Sequence, residues 1–257
     1  MSSEFLLQAQ GLNKSFGAVV AAQDINIRIR SGERVSLIGS NGAGKTTFVN
    51  MITGYIQPDS GEIHLGGQRI NTMTPRQITR LGVARSFQIP QIYPNLSVME
   101  NMLVAQACHE DRLSLWRPAR TLASQERAEE VLKRFRLQDQ RQRLVAELPG
   151  GMRKLLDIAL AMTGQPRLLL LDEPTSGVAA EEKFPMMDTI MQALEGQALT
   201  VLFVEHDMDI VNRYCDRVVA FYSGRIIADD VPSVALAQTD VRRYVTGERL
   251  PEDAPHA

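Results

Sequence analysis

The fold of this chain is decided by the stretch Gly39-Ser40-Asn41-Gly42-Ala43-Gly44-Lys45-Thr46-Thr47. It satisfies the pattern G-x-x-x-x-G-K-[ST], in which a glycine-rich loop between a strand and a helix presents its backbone N–H groups to phosphates. Residues 34–38 read as an apolar strand and residues 46–53 as a helix, so both flanks suit this arrangement. A glycine turn that matches by chance is the alternative, and the flanking elements favour the nucleotide site.

The residue types in this loop indicate how it would hold a nucleoside triphosphate. Gly42 and Gly44 let the backbone bend around a phosphate, and the helix that begins near Lys45 turns its positive end towards the anion. The Lys45 amine reaches the β- and γ-phosphates, and the Thr46 hydroxyl ligates Mg²⁺. We therefore predict nucleotide contacts at Gly39, Ser40, Asn41, Gly42, Ala43, Gly44, Lys45, Thr46 and Thr47.

A pair of carboxylates follows a second apolar strand. Residues 168–171 are four leucines, and Asp172 and Glu173 come directly after them. The carboxyl end of a parallel strand is where α/β sheets present ligand sites. Asp172 suits a magnesium ligand, and Glu173 suits a base that activates water for in-line attack on the γ-phosphate. A solvated turn is the alternative, and the phosphate loop elsewhere in the chain favours the functional reading.

Composition excludes several other classes of protein. With 44% apolar and 23% charged residues the chain can bury a core, and its net charge of −2 gives no reason to expect a nucleic-acid partner. Cys108 and Cys215 lie far apart without metal-like spacing, which indicates a reducing compartment. We find no apolar stretch long enough to span a bilayer. Any work at a membrane is therefore expected of a peripheral subunit.

The order of sequence patterns predicts an α/β fold with added parts. Residues 5–9 and 25–29 alternate as antiparallel strands do, and residues 61–67 read as a hairpin arm. Residues 167–171 and 200–204 read as buried parallel strands, and residues 218–228 as a strand pair. Between residues 97 and 144 strand patterns are absent, and a stripe of Ala128, Val131, Leu132 and Phe135 predicts a helix that packs through this face.

The joint order of further motifs resembles the ATP-binding subunits of ABC transporters, over residues 6–248. Ser86-Phe87-Gln88 looks like the Q-loop of that family, and Leu148-Pro149-Gly150-Gly151-Met152 stands where its LSGGQ signature belongs. Val204-Glu205-His206-Asp207 looks like the switch-histidine segment, and Phe16 stands where the family stacks an aromatic ring on adenine.

The resemblance implies a P-loop NTPase core of the ABC ATPase type, with an antiparallel β subdomain and a helical subdomain insert. We expect a single domain over residues 1–245, with the core and β subdomain at about 1–86 and 165–245 and the insert at about 90–164. Residues 246–257 are expected to form a flexible tail.

The resemblance also implies a mechanism. Two ATPase subunits meet head to tail, and each encloses ATP between its own phosphate loop and the partner's signature, here Pro149, Gly150 and Gly151. His206 would contact the γ-phosphate. Gln88 would ligate Mg²⁺ and report nucleotide state to two polytopic membrane subunits. Residues 89–96 are unusually apolar for a loop and suit either a groove for a membrane subunit or local packing under the insert.

Three positions depart from the family pattern, and all lie on surfaces offered to the partner's ATP. Pro149 replaces the signature serine and brings neither a hydroxyl nor an N–H donor, although proline suits the start of a helix. Met152 replaces the signature glutamine, and Ala179 replaces the aspartate of the D-loop. We therefore favour a heterodimer with unequal sites over a homodimer, and a variation that leaves both sites active is the alternative. Ser40, where proline is common, is expected to matter little.

Within the family the chain most resembles the ATPase subunits of branched-chain amino-acid importers. The resemblance lies in Arg85-Ser86-Phe87-Gln88, Leu96-Ser97-Val98-Met99-Glu100-Asn101, Leu113-Ser114-Leu115-Trp116-Arg117, Val204-Glu205-His206-Asp207-Met208-Asp209 and Tyr244-Val245-Thr246-Gly247. It implies an ATP hydrolase on the cytoplasmic face of the inner membrane, with a second, different ATPase subunit and, indirectly, a solute-binding protein. A soluble ABC-type switch in repair or regulation and a low-turnover regulatory subunit are the alternatives.

Overall fold

The computed structural model describes residues 4–109 and 121–248. They divide into a first unit, residues 4–81 with 200–248, and a second unit, residues 82–109 with 121–199. Over these residues no helix has both the length and the apolar character needed to cross a membrane. Leu113-Ser114-Leu115-Trp116-Arg117 and the tail from residue 249 onward lie outside the described residues.

The strands, in chain order, are β1 (Phe5–Phe16), β2 (Val19–Arg30), β3 (Arg34–Ile38), β4 (Ser60–Leu65), β5 (Gln68–Arg69), β6 (Val83–Ser86), β7 (Leu168–Asp172), β8 (Thr200–Val204), β9 (Arg217–Tyr222) and β10 (Arg225–Asp230). The α-helices are α1 (Lys45–Ile52), α2 (Pro75–Arg80), α3 (Val98–His109), α4 (Leu122–Arg134), α5 (Gly150–Met162), α6 (Ala180–Leu194), α7 (Met208–Tyr214), α8 (Pro232–Ala235) and α9 (Thr239–Tyr244). Short 3-10 helices occupy Gln138–Gln140 and Val145–Glu147.

The first unit contains an antiparallel sheet in the order β2-β1-β4-β5. Leu7 of β1 lies opposite Ile29 of β2, and Ala9 lies opposite Ile27, so the buried residues of both strands share one face. Gly66 and Gly67, both at positive φ, make the tight connection between β4 and β5. The antiparallel strands and the hairpin predicted from the alternating pattern are confirmed.

The first unit also contains parallel pairs that carry the phosphate loop. Strand β3 lies between β8 and β9 and is parallel to both, while β9 and β10 form an antiparallel hairpin. Every residue of β8 is buried, which explains why this strand is an unbroken apolar run. Helices α7, α8 and α9 supply Val211, Ala235 and Val241 to the core against β9 and β10. The carboxyl end of β3, where the phosphate loop begins, therefore packs on a buried apolar core.

The second unit pairs β6 with β7 in parallel and packs helices α3 to α6 together. Ala128, Leu132 and Phe135 are buried and Val131 is half-buried, so the predicted stripe is a packing face. The sequence shows no strand patterns between residues 97 and 144. The described residues of this region form helices and loops, apart from an isolated β-bridge between Ser97 and Leu144.

Two local predictions differ slightly from the structure. Helix α1 begins at Lys45, one residue before the predicted start, because Gly44 takes a left-handed conformation and acts as its N-cap. Pro149 is the N-cap of α5 and not its first helical residue, with ψ at 155°. The ring therefore lies just outside the first turn, and the helix proper begins with Gly150.

Candidate functional site

The phosphate loop connects the end of β3 to the start of α1, and its glycines are needed for steric reasons. Gly44 has φ at +109°, and a Cβ there would lie 2.5 Å from the carbonyl oxygen of Ala21. A Cβ on Gly39 would collide with the carbonyl oxygen of Phe221. Any other residue at either position would push the loop away from the strands that support it.

The start of α1 is arranged for an anion. Its N-cap, Gly44, has no side chain to bond the first-turn N–H groups, and the first turn contains no acidic residue. These donors and the positive end of the helix are therefore open to phosphate oxygens. The buried Lys45 lies beside them, and its Nζ donates to the carbonyl oxygens of Gly39 at 2.6 Å and Ser40 at 3.1 Å.

The other residues of the loop differ in exposure. Ser40, Asn41, Gly42 and Thr46 are exposed, Thr47 is half-buried, and Ala43 is buried beneath the loop. An exposed hydroxyl at Thr46, in the first turn of α1, suits a metal ligand. In the second unit, Asp172 and Gln88 offer carboxylate and amide oxygens, which are also ligands that Mg²⁺ accepts.

Two further predicted residues lie in the first unit. Phe16 ends β1 with 48% of its surface exposed, and the Lys14 amine lies 5.5 Å from its ring centroid. One ring face is thus available for stacking on a base. His206 is exposed just beyond β8, and its backbone N–H donates to the Glu205 carboxylate at 3.2 Å. Asp207 then caps α7, so this loop has a defined conformation.

The second unit brings the remaining predicted acids together with the Q-loop. Gln88 Nε2 donates to Glu173 Oε2 at 2.8 Å, although the two residues are 85 positions apart in the chain. Glu173 is left-handed, with φ at +48°, a conformation that a residue with a side chain adopts only when its surroundings enforce it. The hydrogen bond from Gln88 holds this carboxylate in one direction.

Asp172 has a partner that sequence reasoning missed. Arg85 Nη2 donates to Asp172 Oδ2 at 2.7 Å, and both side chains are largely buried. The Arg85 guanidinium also lies 4.8 Å from the centroid of the Phe87 ring. One oxygen of Asp172 is thereby held by a cation. The sequence shows an arginine directly before the Q-loop segment. Nothing in the spacing of the residues predicts that this arginine pairs with Asp172.

Lys154 and Asp157 of α5 were also missed. Both are buried in this helix, and both bond to the Q-loop. Burial raises the pKa of Asp157, while hydrogen bonds from Ser86, Gln91 and Phe87 and the charge of Lys154 act in the opposite direction. Two charged residues within an apolar helical run could have indicated buried polar partners, but the partners could not be named.

The signature segment presents an exposed helix end that has lost its usual side chains. Pro149 and Gly150 are exposed, and a Cβ at Gly150 or Gly151 would meet nothing within 4 Å. Pro149 makes no side-chain cap, so the first-turn N–H groups of α5 remain open to an anion. Met152 is half-buried. The first-turn N–H groups of α5 are therefore available, but the hydroxyl and the backbone N–H that a serine would supply at position 149 are absent.

The two cysteines have different surroundings. Cys108 is exposed, whereas Cys215 is buried, and burial raises the pKa of the Cys215 thiol to about 12. A thiol with so high a pKa is almost wholly protonated near neutral pH and is a poor nucleophile. Cys215 is therefore a packing residue.

Comparison with known proteins gives one consistent result. The family model described as ABC transporter matches residues 22–176. The branched-chain amino acid transport ATP-binding protein LivG of Escherichia coli K12 is 35% identical over 255 residues, which are 96% of this chain and 99% of LivG. BraF of Pseudomonas aeruginosa, described in the same terms, is 34% identical over 95% of this chain and 98% of BraF.

A solved structure agrees with these relatives. The crystal structure of an ATP-binding cassette of an ABC transporter in its ADP conformation superposes with a TM-score of 0.83 at 29% identity. The superposition covers 94% of this chain and 98% of that cassette.

Proposed function

Because this chain belongs to the ABC transporter family as an ATP-binding, ATP-hydrolysing subunit, we propose that it powers the import of branched-chain amino acids or a related small solute. The near-full-length similarity to LivG and BraF carries the proposal of cargo, since those two proteins are described as branched-chain amino acid transport proteins. The membrane and binding proteins of such a system contact the solute, and this chain supplies the energy.

The proposed nucleotide contacts follow the residues described above. Phe16 stacks on the adenine, and the loop from Gly39 to Thr47 holds the phosphates, with Lys45 as its charge. Asp172, Thr46 and Gln88 hold Mg²⁺ in this proposal. The ion would neutralise charge on the phosphate oxygens during transfer. The first-turn N–H groups around Gly150 and Gly151 are proposed to meet the partner subunit's nucleotide.

Hydrolysis is assigned to Glu173, which takes a proton from water as the water attacks the γ-phosphate in line. The hydrogen bond of 2.8 Å from Gln88 supports this role because it fixes the Glu173 carboxylate. His206 is proposed to bond the γ-phosphate from its exposed loop. Gln88 then has a second task, since its contact with Glu173 links the catalytic base to the Q-loop.

Subunits of this family work with membrane subunits. We propose that residues 89–96 form the surface through which this chain contacts a membrane subunit. Ile89 is 76% exposed and Tyr93 is 57% exposed, which favours a docking surface over the alternative of local packing. In this proposal the chain binds two polytopic membrane subunits and lies at the cytoplasmic face of the inner membrane as a peripheral subunit. An external solute-binding protein works with the same transporter. No nucleic acid is included.

We further propose that the second ATPase subunit differs from this one. Pro149, Met152 and Ala179 weaken the surface offered to a partner's ATP, whereas the phosphate loop, Asp172 and Glu173 are complete. A heterodimer lets the partner supply an intact signature to this chain's ATP. A low-turnover regulatory subunit is the second candidate, because the N-cap of α5 is a proline that makes no side-chain cap. The soluble ABC switch is not favoured by the relatives.

The proposed domain boundaries remain those of the sequence. A single domain spans residues 1–245, with the core and β subdomain at about 1–86 and 165–245 and a helical insert at about 90–164. The helices α3, α4 and α5 fall within that insert.

An affinity purification tests the proposal directly. The tagged chain is isolated from detergent-solubilised native membranes, and co-purifying proteins are identified by mass spectrometry. We expect two polytopic proteins and a second, different ATPase, and Ile89→Ser with Tyr93→Ser should reduce their recovery. Leu122→Ser changes an equally exposed apolar residue of α4 and serves as the control. Recovery of soluble partners alone would contradict the transport function.

A further inference from the structure

The helix that begins at the signature segment carries two buried charges that the proposed mechanism does not use. Lys154 is 4% exposed and Asp157 is 5% exposed, in the middle of an apolar run of α5. Residues three apart lie on the same face of an α-helix, so both side chains leave α5 in one direction. Charged residues are rarely buried to this extent unless specific partners hold them.

Asp157 binds the Q-loop on both sides of Gln88. Its Oδ2 accepts from the Ser86 hydroxyl at 2.6 Å, and its Oδ1 accepts from the backbone N–H of Gln91 at 2.9 Å. The backbone N–H of Phe87 also bonds to this carboxylate. The partners lie at least 66 positions away in the chain, so these bonds join α5 to a separate segment.

Lys154 binds the same loop through its carbonyl groups. Its Nζ donates to the carbonyl oxygens of Phe87 at 2.7 Å and Gln88 at 3.2 Å. A third bond goes to the carbonyl oxygen of Asp172 at 3.2 Å, at the end of β7. The ammonium group has three donors, and these acceptors match all of them. Lys154 therefore joins the Q-loop to the residue that precedes Glu173.

These hydrogen bonds satisfy backbone groups of the Q-loop that have no partner strand. Strand β6 ends at Ser86, and beyond it no strand partner is available to the loop backbone within the described part of the second unit. Backbone N–H and C=O groups without sheet partners must be satisfied in another way when they are shielded from water. Lys154 supplies the donors and Asp157 the acceptors, and the opposite charges offset each other. The position of Gln88 thus depends on α5.

We propose that Lys154 and Asp157 are positioning residues that hold the Q-loop backbone so that the Gln88 amide meets Glu173. Their hydrogen bonds go to the Q-loop and to the Asp172 carbonyl, and they act through Gln88. The same helix presents the signature at its start, so a displacement of α5 would move the Q-loop and the catalytic base together. This inference rests on the proposed ATPase function and adds a route by which the signature helix influences this chain's own Glu173.

A double-mutant cycle in the assembled transporter tests the route through Gln88. Lys154→Met keeps the length of the side chain and removes its charge, and we expect kcat for ATP to fall by roughly tenfold to a hundredfold with KM little changed. In a Gln88→Ala background the same change should cost less than about threefold, because the residue that it positions is gone. Lys133→Met, at an exposed position of α4, is the control. Equal losses in both backgrounds, or a rise in KM with kcat unchanged, would overturn the proposal.

Lys154→Arg is the conservative variant, since it keeps a cation that donates several hydrogen bonds. It should recover a large part of the lost kcat, and a merely space-filling role for Lys154 predicts no better rescue than methionine. Failure of arginine to exceed methionine counts against positioning.

Amide hydrogen exchange provides a second readout that does not depend on turnover. In the full chain, Asp157→Asn should speed exchange in a peptide covering residues 87–91, because the N–H groups of Phe87 and Gln91 lose a charged acceptor. Asp139→Asn changes an exposed carboxylate in the same unit and is the control. Ser86→Ala removes one hydrogen bond and should give a smaller effect in the same direction. Unchanged exchange in both variants would overturn the proposal.

Different results would contradict the proposed function and the positioning role of Lys154 and Asp157. If the wild-type complex neither hydrolyses ATP nor transports solute, the proposed function is wrong whatever the variants do. If the wild-type complex is active while Lys154→Met and Gln88→Ala act additively, only the positioning role is wrong.

Discussion

At the residue scale, Glu173 is one of five described non-glycine residues with a positive φ. A left-handed conformation costs a residue with a side chain on the order of 1–3 kcal/mol, and Glu173 adopts it at φ +48°. The turn is held by the bond from Ser176 N–H to the Glu173 carbonyl and by the Gln88 amide on its carboxylate. The strain is thus maintained where a carboxylate must have one direction, as a catalytic base requires.

Glu173→Gln separates nucleotide binding from hydrolysis. The amide keeps the size of the side chain and the bond to Gln88 through its oxygen, but it accepts no proton from water. We expect ATP binding to be retained and hydrolysis at this chain's own site to fall by at least about a hundredfold. Single-turnover hydrolysis and equilibrium binding measure the two properties. Glu195→Gln, at an exposed carboxylate, should leave both unchanged, and full activity in Glu173→Gln would remove this residue from the mechanism.

Gly44→Ala tests the steric argument for the phosphate loop. The new Cβ would lie 2.5 Å from the Ala21 carbonyl oxygen at a φ of +109°. We expect the free energy of unfolding to fall by at least about 2 kcal/mol and nucleotide binding to be lost. Gly32→Ala is the matched control, because Gly32 also has a positive φ but a Cβ there meets nothing within 4 Å.

Gly32→Ala should cost only about 1–2 kcal/mol, the expense of a left-handed conformation, and should leave binding intact. Urea denaturation and nucleotide titration provide the measurements. Equal effects of the two substitutions would mean that backbone conformation alone, and not the contact with Ala21, requires Gly44.

At the scale of elements, two helices begin without the side chains that their positions favour. Helix α5 has Pro149 as its N-cap and α6 has Ala179, and neither makes a side-chain cap. Helix α4, by contrast, has a complete capping box between Thr121 and Ser124. Helices α1, α8 and α9 also lack a side-chain cap, so this property is not confined to the signature and the D-loop.

Ala179→Asp should stabilise the protein through α6. An N-cap aspartate accepts from the N–H groups of the first turn and interacts favourably with the helix dipole, which contributes about 1 kcal/mol. Chemical denaturation of the isolated subunit measures the gain. Ala198→Asp introduces the same charge at an exposed position outside any helix and should give no gain. If both variants behave alike, the effect is one of charge and not of capping.

At the scale of the whole molecule, the chain combines a complete phosphate-loop half with a reduced signature half. Lys45, Asp172 and Glu173 are present, and the Arg85 and Gln88 bonds hold the two acids. The signature hydroxyl and the D-loop carboxylate are absent. This difference between the two halves is the basis of the proposed assembly with two different ATPase subunits.

Pro149→Ser combined with Met152→Gln tests whether the altered signature limits the assembly. If it does, ATPase of the complex should rise by roughly tenfold, because a restored hydroxyl and N–H can bond the partner's γ-phosphate. Pro149→Ala with Met152→Gln restores the N–H without the hydroxyl and should give a smaller rise. An unchanged rate in both would show that the partner's site does not limit turnover.

The sequence by itself determined the features that depend on neighbouring residues. Three local patterns each predicted a backbone conformation that the structure has. They are the loop from Gly39 to Thr47, the alternation in β1 and β2, and the leucine run before Asp172. Both ends of α1 were predicted to within one residue, because capping is also a local property.

Only the tertiary structure decided which distant groups meet. Arg85 pairs with Asp172 across 87 positions, Gln88 with Glu173 across 85, and Ser86 with Asp157 across 71. No periodicity encodes these contacts, because each depends on how β6, β7 and α5 pack together. The physical reason is that a buried charge takes its partner from whatever the fold brings within hydrogen-bond distance, and that partner is defined only when the chain is folded.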